Sequence, residues 1–197
     1  MPLMQKPVGL IRLDAVPASA PRYARTFTEY VWGPRASVHV RLDAAGLEPG
    51  DLAGLALSNS GFGWIGVERS GTGHTLAQFD ERTGVTTRIP LVTPRVWLRT
   101  DCDVTNGTGR FSHSADGARY AAIGSPHLLG DDPTTVQSIR CALFACRVGP
   151  GSGGGHADFD AFLVTWPQDG SGTRPAGEAR ATRPPGLSSR GRRPRGR

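Results

Sequence analysis

Between Asp51 and Trp166 the chain is a succession of short apolar blocks separated by turn residues, a spacing that leaves little room for anything but a sheet protein. Residues 52–57, 63–69, 96–99, 111–117 and 141–145 are each of strand length, rich in aliphatic and aromatic side chains, and bounded by Gly, Asp or Pro. No stretch of ~12 residues between them repeats apolar side chains at i, i+3, i+4 and i+7, so the helical period is missing. The economical reading is an all-β fold built as a two-sheet antiparallel β-sandwich.

The individual strands follow from parity. Residues 7–13 read as a first strand. Residues 35–43 read as a second, with Val38, Val40 and Leu42 on the core face and Ser37, His39 and Arg41 on the wet one. Turn chemistry predicts bends at residues 47–51 and hairpins at 70–73 and 82–84, a meander in miniature. Asn106-Gly107 joins residues 96–103 to 108–113, and Asp116-Gly117 leads into 119–123. Residues 136–147 are apolar on both parities, which predicts a strand buried on both faces. In the closing strand, Phe159, Ala161, Leu163 and Thr165 alternate with Asp160, Phe162, Val164 and Trp166.

Residues 7–167 make one domain, large enough for a proper core. Residues 168–197 are Gly, Pro, Ser, Ala and Arg with almost no apolar content, and burial there cannot offset the entropy of ordering, so a disordered tail is expected. The net charge of +6 belongs to that tail, whose 8 Arg stand against Asp169 and Glu178; 15 basic and 15 acidic residues remain in residues 1–167. Nucleic acid is therefore not an expected partner of the domain, and only the arginines of the tail could attract it. The apolar runs are far shorter than the ~20 residues of a membrane helix, and residues 1–7 lack the apolar stretch of a signal peptide. A cytoplasmic protein without a membrane partner is expected. Cys102, Cys141 and Cys146 are odd in number and read as small buried residues.

Candidate chemistry is sparse. The glycine-rich stretch 149–155 enters a strand through His156 and lacks the helix and the Gly-Lys-Ser/Thr ending of a phosphate loop. Asp158 and Asp160 flank Phe159 and share one strand face; the favoured role is structural, accepting bonds from backbone amides and Arg140, ahead of calcium binding. Glu29, Glu48, Glu68 and Glu81 are scattered over different elements, so no catalytic carboxylate pair is identified. The five histidines have no metal-ligand spacing, and Ser112, His113 and Asp116 fit a hairpin better than a triad. No catalytic residue, metal or cofactor is assigned. Among the aromatics, Trp64 and Trp97 read as core, whereas Trp32 and Phe62 lie beside glycines near strand ends, where a ring could stack on a sugar.

Taken in order, residues 7–13, 30–35, 53–56, 64–67, 96–99, 111–117 and 157–160 resemble the C-terminal domain of glycoside hydrolase family 43 β-xylosidases and α-L-arabinofuranosidases, over about residues 7–166. The resemblance implies a concanavalin A-like jelly roll that follows a β-propeller, with the catalytic carboxylates on the propeller. It implies a non-catalytic accessory domain of a xylan-degrading enzyme, inactive alone, whose partner is a catalytic propeller domain or subunit. In that family a sandwich loop sets an aromatic residue, usually Phe, at the rim of the sugar pocket. The matching stretch here is Thr135-Val136-Gln137-Ser138, which puts Val136 in the place of the Phe and makes Thr135, Val136 and Gln137 the implied substrate-side residues. The alternative is a free-standing, lectin-like carbohydrate-binding module with xylo-oligosaccharides as ligands. Self-association through a bared interface is a further expectation.

Overall fold

A computed structural model describes residues 3–4, 9–31, 33–59, 61–129, 139–148 and 154–166. Their strands, in chain order, are β1 (Leu3–Met4), β2 (Ile11–Asp14), β3 (Val16–Pro17), β4 (Arg25–Val31), β5 (Arg35–Asp43), β6 (Asp51–Ser58), β7 (Phe62–Arg69), β8 (His74–Asp80), β9 (Val85–Leu91), β10 (Arg95–Asp103), β11 (Thr108–Ser114), β12 (Ala121–Ala122), β13 (His127–Leu128), β14 (Ile139–Arg147) and β15 (His156–Trp166). A 3-10 turn at Pro21–Tyr23 is the one helical element among the described residues, and no helix there is long and apolar enough to cross a membrane.

The strands form two sheets. One has eight strands, ordered β1-β15-β5-β10-β11-β12 with β2 added to β15 and β13 to β11. The other has seven, ordered β3-β14-β6-β7-β8-β9 with β4 added to β14. Every described ladder is antiparallel except the short β3–β14 pairing, where Val16 lies beside Cys146. The meander expected from the turns is β6 to β9, and Gly84 and Gly107 carry the positive φ angles, 67° and 61°, that their hairpins need.

Alternation places the core between the sheets. Val38, Val40, Leu42, Leu98, Phe111, Phe159 and Val164 come from the eight-stranded sheet and are 0–3% exposed, facing Leu55, Leu57, Ile65, Val67, Leu76 and Leu143 at 0% from the other. The seven-stranded sheet is buried on its second face as well. There Leu52, Ala56, Phe62, Trp64, Phe144 and Cys146 form a separate cluster, against which Ala18 and Ala24, on either side of the 3-10 turn, are packed. This explains the double-sided apolar character of β14: Ile139, Cys141, Leu143 and Ala145 enter the main core, and Phe144 and Cys146 enter the second cluster.

β15 departs from simple alternation. Asp160 pairs with Arg41 and Leu163 with His39, so Ala161 and Phe162 together oppose Val40 in a β-bulge. Ala161 has φ 53°, the only described non-glycine residue with a positive value. The bulge resets parity, so that Phe159 and Phe162 both point inward, at 0% and 2% exposure.

The glycine-rich stretch ends in close contacts. A Cβ on Gly154 would lie 2.1 Å from the Ala15 carbonyl oxygen, and one on Gly155 would lie 2.0 Å from that of Gly46. Gly155 donates its N–H to Asp51 Oδ2 at 2.7 Å and accepts that of Ala15 at 2.8 Å. Glycine is needed here so that two backbones can touch, which is a packing requirement and not a phosphate cradle.

Candidate functional site

The outer face of the eight-stranded sheet carries the main concentration of polar chemistry among the described residues. Because β5 and β10 send Val38, Val40, Leu42, Val96 and Leu98 inward, their alternate residues face out: Arg35, Ser37, His39, Arg41 and Asp43 on β5, and Arg95, Trp97, Arg99, Asp101 and Asp103 on β10. Asp158 and Asp160 of β15 join the same face.

Register sorts these charges into pairs. Arg12 stands opposite Asp158 and binds it with two bonds of 2.7 Å. Arg95 stands opposite Asp43 with Nε 2.7 Å from Oδ2, Arg35 opposite Asp103 at 3.3 Å, and Arg41 opposite Asp160. Nearer the middle, Asp101 accepts from Arg99 Nε at 2.9 Å and from the Ser37 hydroxyl, while the Arg99 guanidinium lies 5.4 Å over the Tyr120 ring. Where β2, β15, β5 and β10 meet, Leu10, Arg41, Asp43, Arg95, Asp158 and Asp160 line a surface pocket of about 330 Å³.

The electrostatics decide which protonation states the pocket holds. The Asp158 carboxyl is held below its usual range, mainly by the hydrogen bonds from Arg12. Partial burial works against the charged form of Asp43, but the bonds from Arg95 and from the Ala45 N–H outweigh it and its pKa is also lowered. Both groups are anions at neutral pH and act as acceptors. Neither has the raised pKa of the general acid that glycoside hydrolysis requires.

Asp158 and Asp160 share one face as the alternation implied, and each is paired with an arginine there, but Arg140 is not their partner. It lies on the other sheet, 5.3 Å over the Tyr30 ring. Trp97, expected in the core, is half-buried on the outer face, edge-on to His39 at 6.2 Å and covered by the turn at Gly117, where a Cβ would come within 2.8 Å of its ring. Trp64 is buried at 5%, though in the outer-face cluster of the seven-stranded sheet and not between the sheets. Phe62 belongs to that same cluster at 7% exposure, with the Arg22 guanidinium 5.1 Å over its ring, so it presents no open face to a sugar. Trp32, Thr135, Val136 and Gln137 lie outside the described residues.

No triad forms from Ser112, His113 and Asp116. The Asp116 carboxylate accepts the N–H groups of Ala118 and Arg119 at 2.9 and 3.0 Å and the Ser114 hydroxyl at 2.8 Å, which holds its pKa far below the usual range and commits it to the turn. The described residues contain no group of three or more His, Cys, Asp or Glu able to hold a metal ion. One buried contact went unnoticed in the sequence: His127, 0% exposed, has Nδ1 3.3 Å from Asp80 Oδ1, and neither of its ring nitrogens makes a hydrogen bond among the described residues. The pocket residues Leu10, Arg41, Asp43 and Arg95 were also missed, since they converge only through register.

Comparison with known proteins matches this architecture to one family. Residues 9–165 fit the family of the β-xylosidase C-terminal concanavalin A-like domain. A bifunctional glycoside hydrolase family 43 and CE protein from Bacteroides eggerthii shares 26% identity, with TM-score 0.69 over 79% of this chain and 20% of its own. An engineered family 43 hydrolase with endo-xylanase and exo-arabinofuranosidase activity also shares 26% identity, with TM-score 0.68 over 78% of this chain and 34% of its own. A functionally unknown protein from Saccharomyces cerevisiae, 14% identical with TM-score 0.59, shares the fold over 85% of this chain and 97% of its own. The curated proteins contain no match. This chain thus spans between a fifth and about a third of the two family 43 enzymes it matches. It belongs to the β-xylosidase C-terminal concanavalin A-like domain family of glycoside hydrolase family 43.

Proposed function

We propose that this sandwich acts as the non-catalytic accessory domain of a xylan-degrading hydrolase, packing against a catalytic β-propeller and completing its active site. The observation that carries the reading is the family match over residues 9–165, combined with coverage of only 20–34% of the two enzymes that share 26% identity with it. The chemistry of the domain agrees with it. The carboxylates of the outer-face pocket are paired with arginines, and neither Asp43 nor Asp158 is poised to protonate a glycosidic oxygen. The segment assigned to the pocket rim, Thr135 to Gln137, lies just ahead of β14 in the chain.

The test is reconstitution. The purified chain alone should not hydrolyse aryl xylosides or aryl arabinofuranosides, whereas adding it to a family 43 propeller expressed without its own sandwich should raise kcat/KM saturably with chain concentration. Turnover by the chain alone, or a propeller rate unchanged by its addition, would overturn the reading.

A further inference from the structure

Two of the three cysteines face each other across the main core. Cys102 follows Val96, Leu98 and Thr100 on the inward side of β10 and is 3% exposed, while Cys141 lies with Ile139 and Leu143 on the inward side of β14 at 0%. Register brings them to one place. Cys102 stands opposite Gly109 of β11, and Cys141 opposite Leu57 of β6. A Cβ on Gly109 would lie 2.9 Å from Leu57 Cδ1, so the two sheets touch at the immediate neighbours of both cysteines. The thiols themselves share a hydrogen bond across the gap.

Parity excludes the third cysteine. Cys146 enters the second cluster, on the outer face of the seven-stranded sheet, so the backbone of its own sheet separates it from Cys102. Cys141 and Cys146 differ in parity along one strand and point to opposite faces. Only the pairing of Cys102 with Cys141 brings two sulfurs together. A two-layer sandwich tolerates a bond at such a place: stacked sheets lie about 10 Å apart, and immunoglobulin domains join theirs by one disulfide through the core. Here the bond would close residues 103–140 into a loop, and a cross-link of that span removes freedom mainly from the unfolded chain.

We propose that Cys102 and Cys141 form an inter-sheet disulfide when the sandwich closes in the presence of a small-molecule disulfide, so that redox conditions during folding set the stability of the domain. One of the two thiolates attacks the small disulfide, giving a mixed disulfide and releasing one thiol; the other then attacks the protein sulfur of that adduct and releases the second. Two protein thiols are oxidised, and the small disulfide takes up their two electrons and two protons to become two thiols. The exchange takes place while the sandwich is open, because in the closed, reduced chain both sulfurs are buried away from any reagent. Once the bond is made, the same burial shields it from reductants. The inference rests on the core alone and is independent of any propeller.

The test incubates the full, reduced chain with reduced and oxidised glutathione at a urea concentration near its unfolding midpoint, where the sandwich repeatedly opens and closes. The urea is then removed, remaining thiols are blocked with iodoacetamide in strong urea, and an unreduced digest is mapped by mass spectrometry. A peptide joining Cys102 to Cys141 is the expected main oxidised product, with Cys146 alkylated. Trypsin leaves Cys141 and Cys146 in one peptide, residues 141–147, so fragmentation of the wild-type product locates the alkyl group. Cys146→Ala should keep the link and Cys141→Ala should abolish it. The oxidised chain should unfold at higher urea than the reduced one, and dithiothreitol added in strong urea should return it to the reduced midpoint. Three free thiols, predominant linkage through Cys146, glutathione adducts in place of a link, or an oxidised midpoint no higher than the reduced one would overturn the proposal.

Discussion

Asp43 and Asp158 stand directly opposite each other across the β5–β15 ladder, two like charges on one face, and each is held by an arginine from the strand on its far side. Arg12, Asp158, Asp43 and Arg95 thus form one row across β2, β15, β5 and β10, each member in register with the next. Like charges facing across a ladder repel. The flanking arginines turn a liability into a neutral row.

Acid should therefore weaken the domain through this row. The pKa values of Asp43 and Asp158 are lowered in the folded protein, so their contribution to stability is present above the unfolded carboxylate value of ~3.9 and disappears as pH falls through the lower native values. Urea midpoints measured from neutral to strongly acidic pH should drop below about pH 4. Arg95→Ala should lower the midpoint at neutral pH and leave it nearly unchanged once both carboxylates are protonated. A pH-independent effect of this substitution would show that the arginine acts through packing alone.

A deeper ion pair has a larger effect. Asp51 is 1% exposed, and it accepts Arg147 Nε at 2.9 Å and the backbone N–H groups of Glu48 and Gly155 at 2.9 and 2.7 Å. One carboxylate thereby ties together the turn before β6, the end of β14 and the entry to β15. Asp51→Ala leaves two amides without their acceptor and Arg147 with only Glu48 at 3.3 Å and the Pro49 carbonyl at 3.1 Å, and removing one member of a buried pair typically costs about 3–5 kcal/mol. Denaturant unfolding should show a loss of that size. Amide exchange at Gly155 and His156 should quicken, and a loss below about 1 kcal/mol, the value of a surface pair, would contradict the assignment.

The cysteines should be inert in the folded state. Burial, followed by the nearby charge of Asp51, pushes the Cys146 thiol up to about 12. Burial, followed by a hydrogen bond with Cys102 from the opposite sheet, raises Cys141 as well. At mildly alkaline pH, alkylation by iodoacetamide followed by mass spectrometry should leave Cys141 and Cys146 unmodified in the native chain and label them in urea, since only the thiolate reacts. Stability should also fall as pH rises beyond the ordinary thiol value of 9.0, where the unfolded chain ionises first. Rapid native labelling of Cys146 would require an opening of the second cluster.

Much of this was open to inspection in the sequence, for a physical reason. β5 could be bounded to the residue at Arg35 and Asp43, because its alternation is unbroken and one face is wet. The hairpin of β10 and β11 was announced by Asn106-Gly107. Trp97 was also legible: with Val96 and Leu98 inward, parity sends it outward, and only its apolar neighbours made it look like core. Trp64 was harder, since burial of both faces of β7 depends on residues 18–24 folding across a distant sheet. The pocket lies further out of reach, because Leu10, Asp43, Arg95 and Asp158 meet only through the registers of four strands, and alternation identifies a face without identifying the partner.

The bulge in β15 shows the limit most sharply and gives the last prediction. A period of two assigns Phe159 and Phe162 to opposite faces, yet both are core, because Ala161 takes up one extra position opposite Val40. The φ of 53° at Ala161 is a conformation that costs an L-residue with a Cβ roughly 1–2 kcal/mol. Glycine relieves that strain but adds freedom to the unfolded chain, worth about 0.4–1 kcal/mol the other way. Ala161→Gly should therefore be neutral or stabilising by up to about 1.6 kcal/mol. Ala161→Val, whose branched Cβ fits this region worst, should destabilise by about 1–3 kcal/mol, as strained backbone positions do. Thermal and urea unfolding of the two variants decides the matter: if valine is tolerated as well as glycine, residue 161 is not left-handed, the ladder from Asp160 to Leu163 is regular, and Phe162 must face away from Phe159.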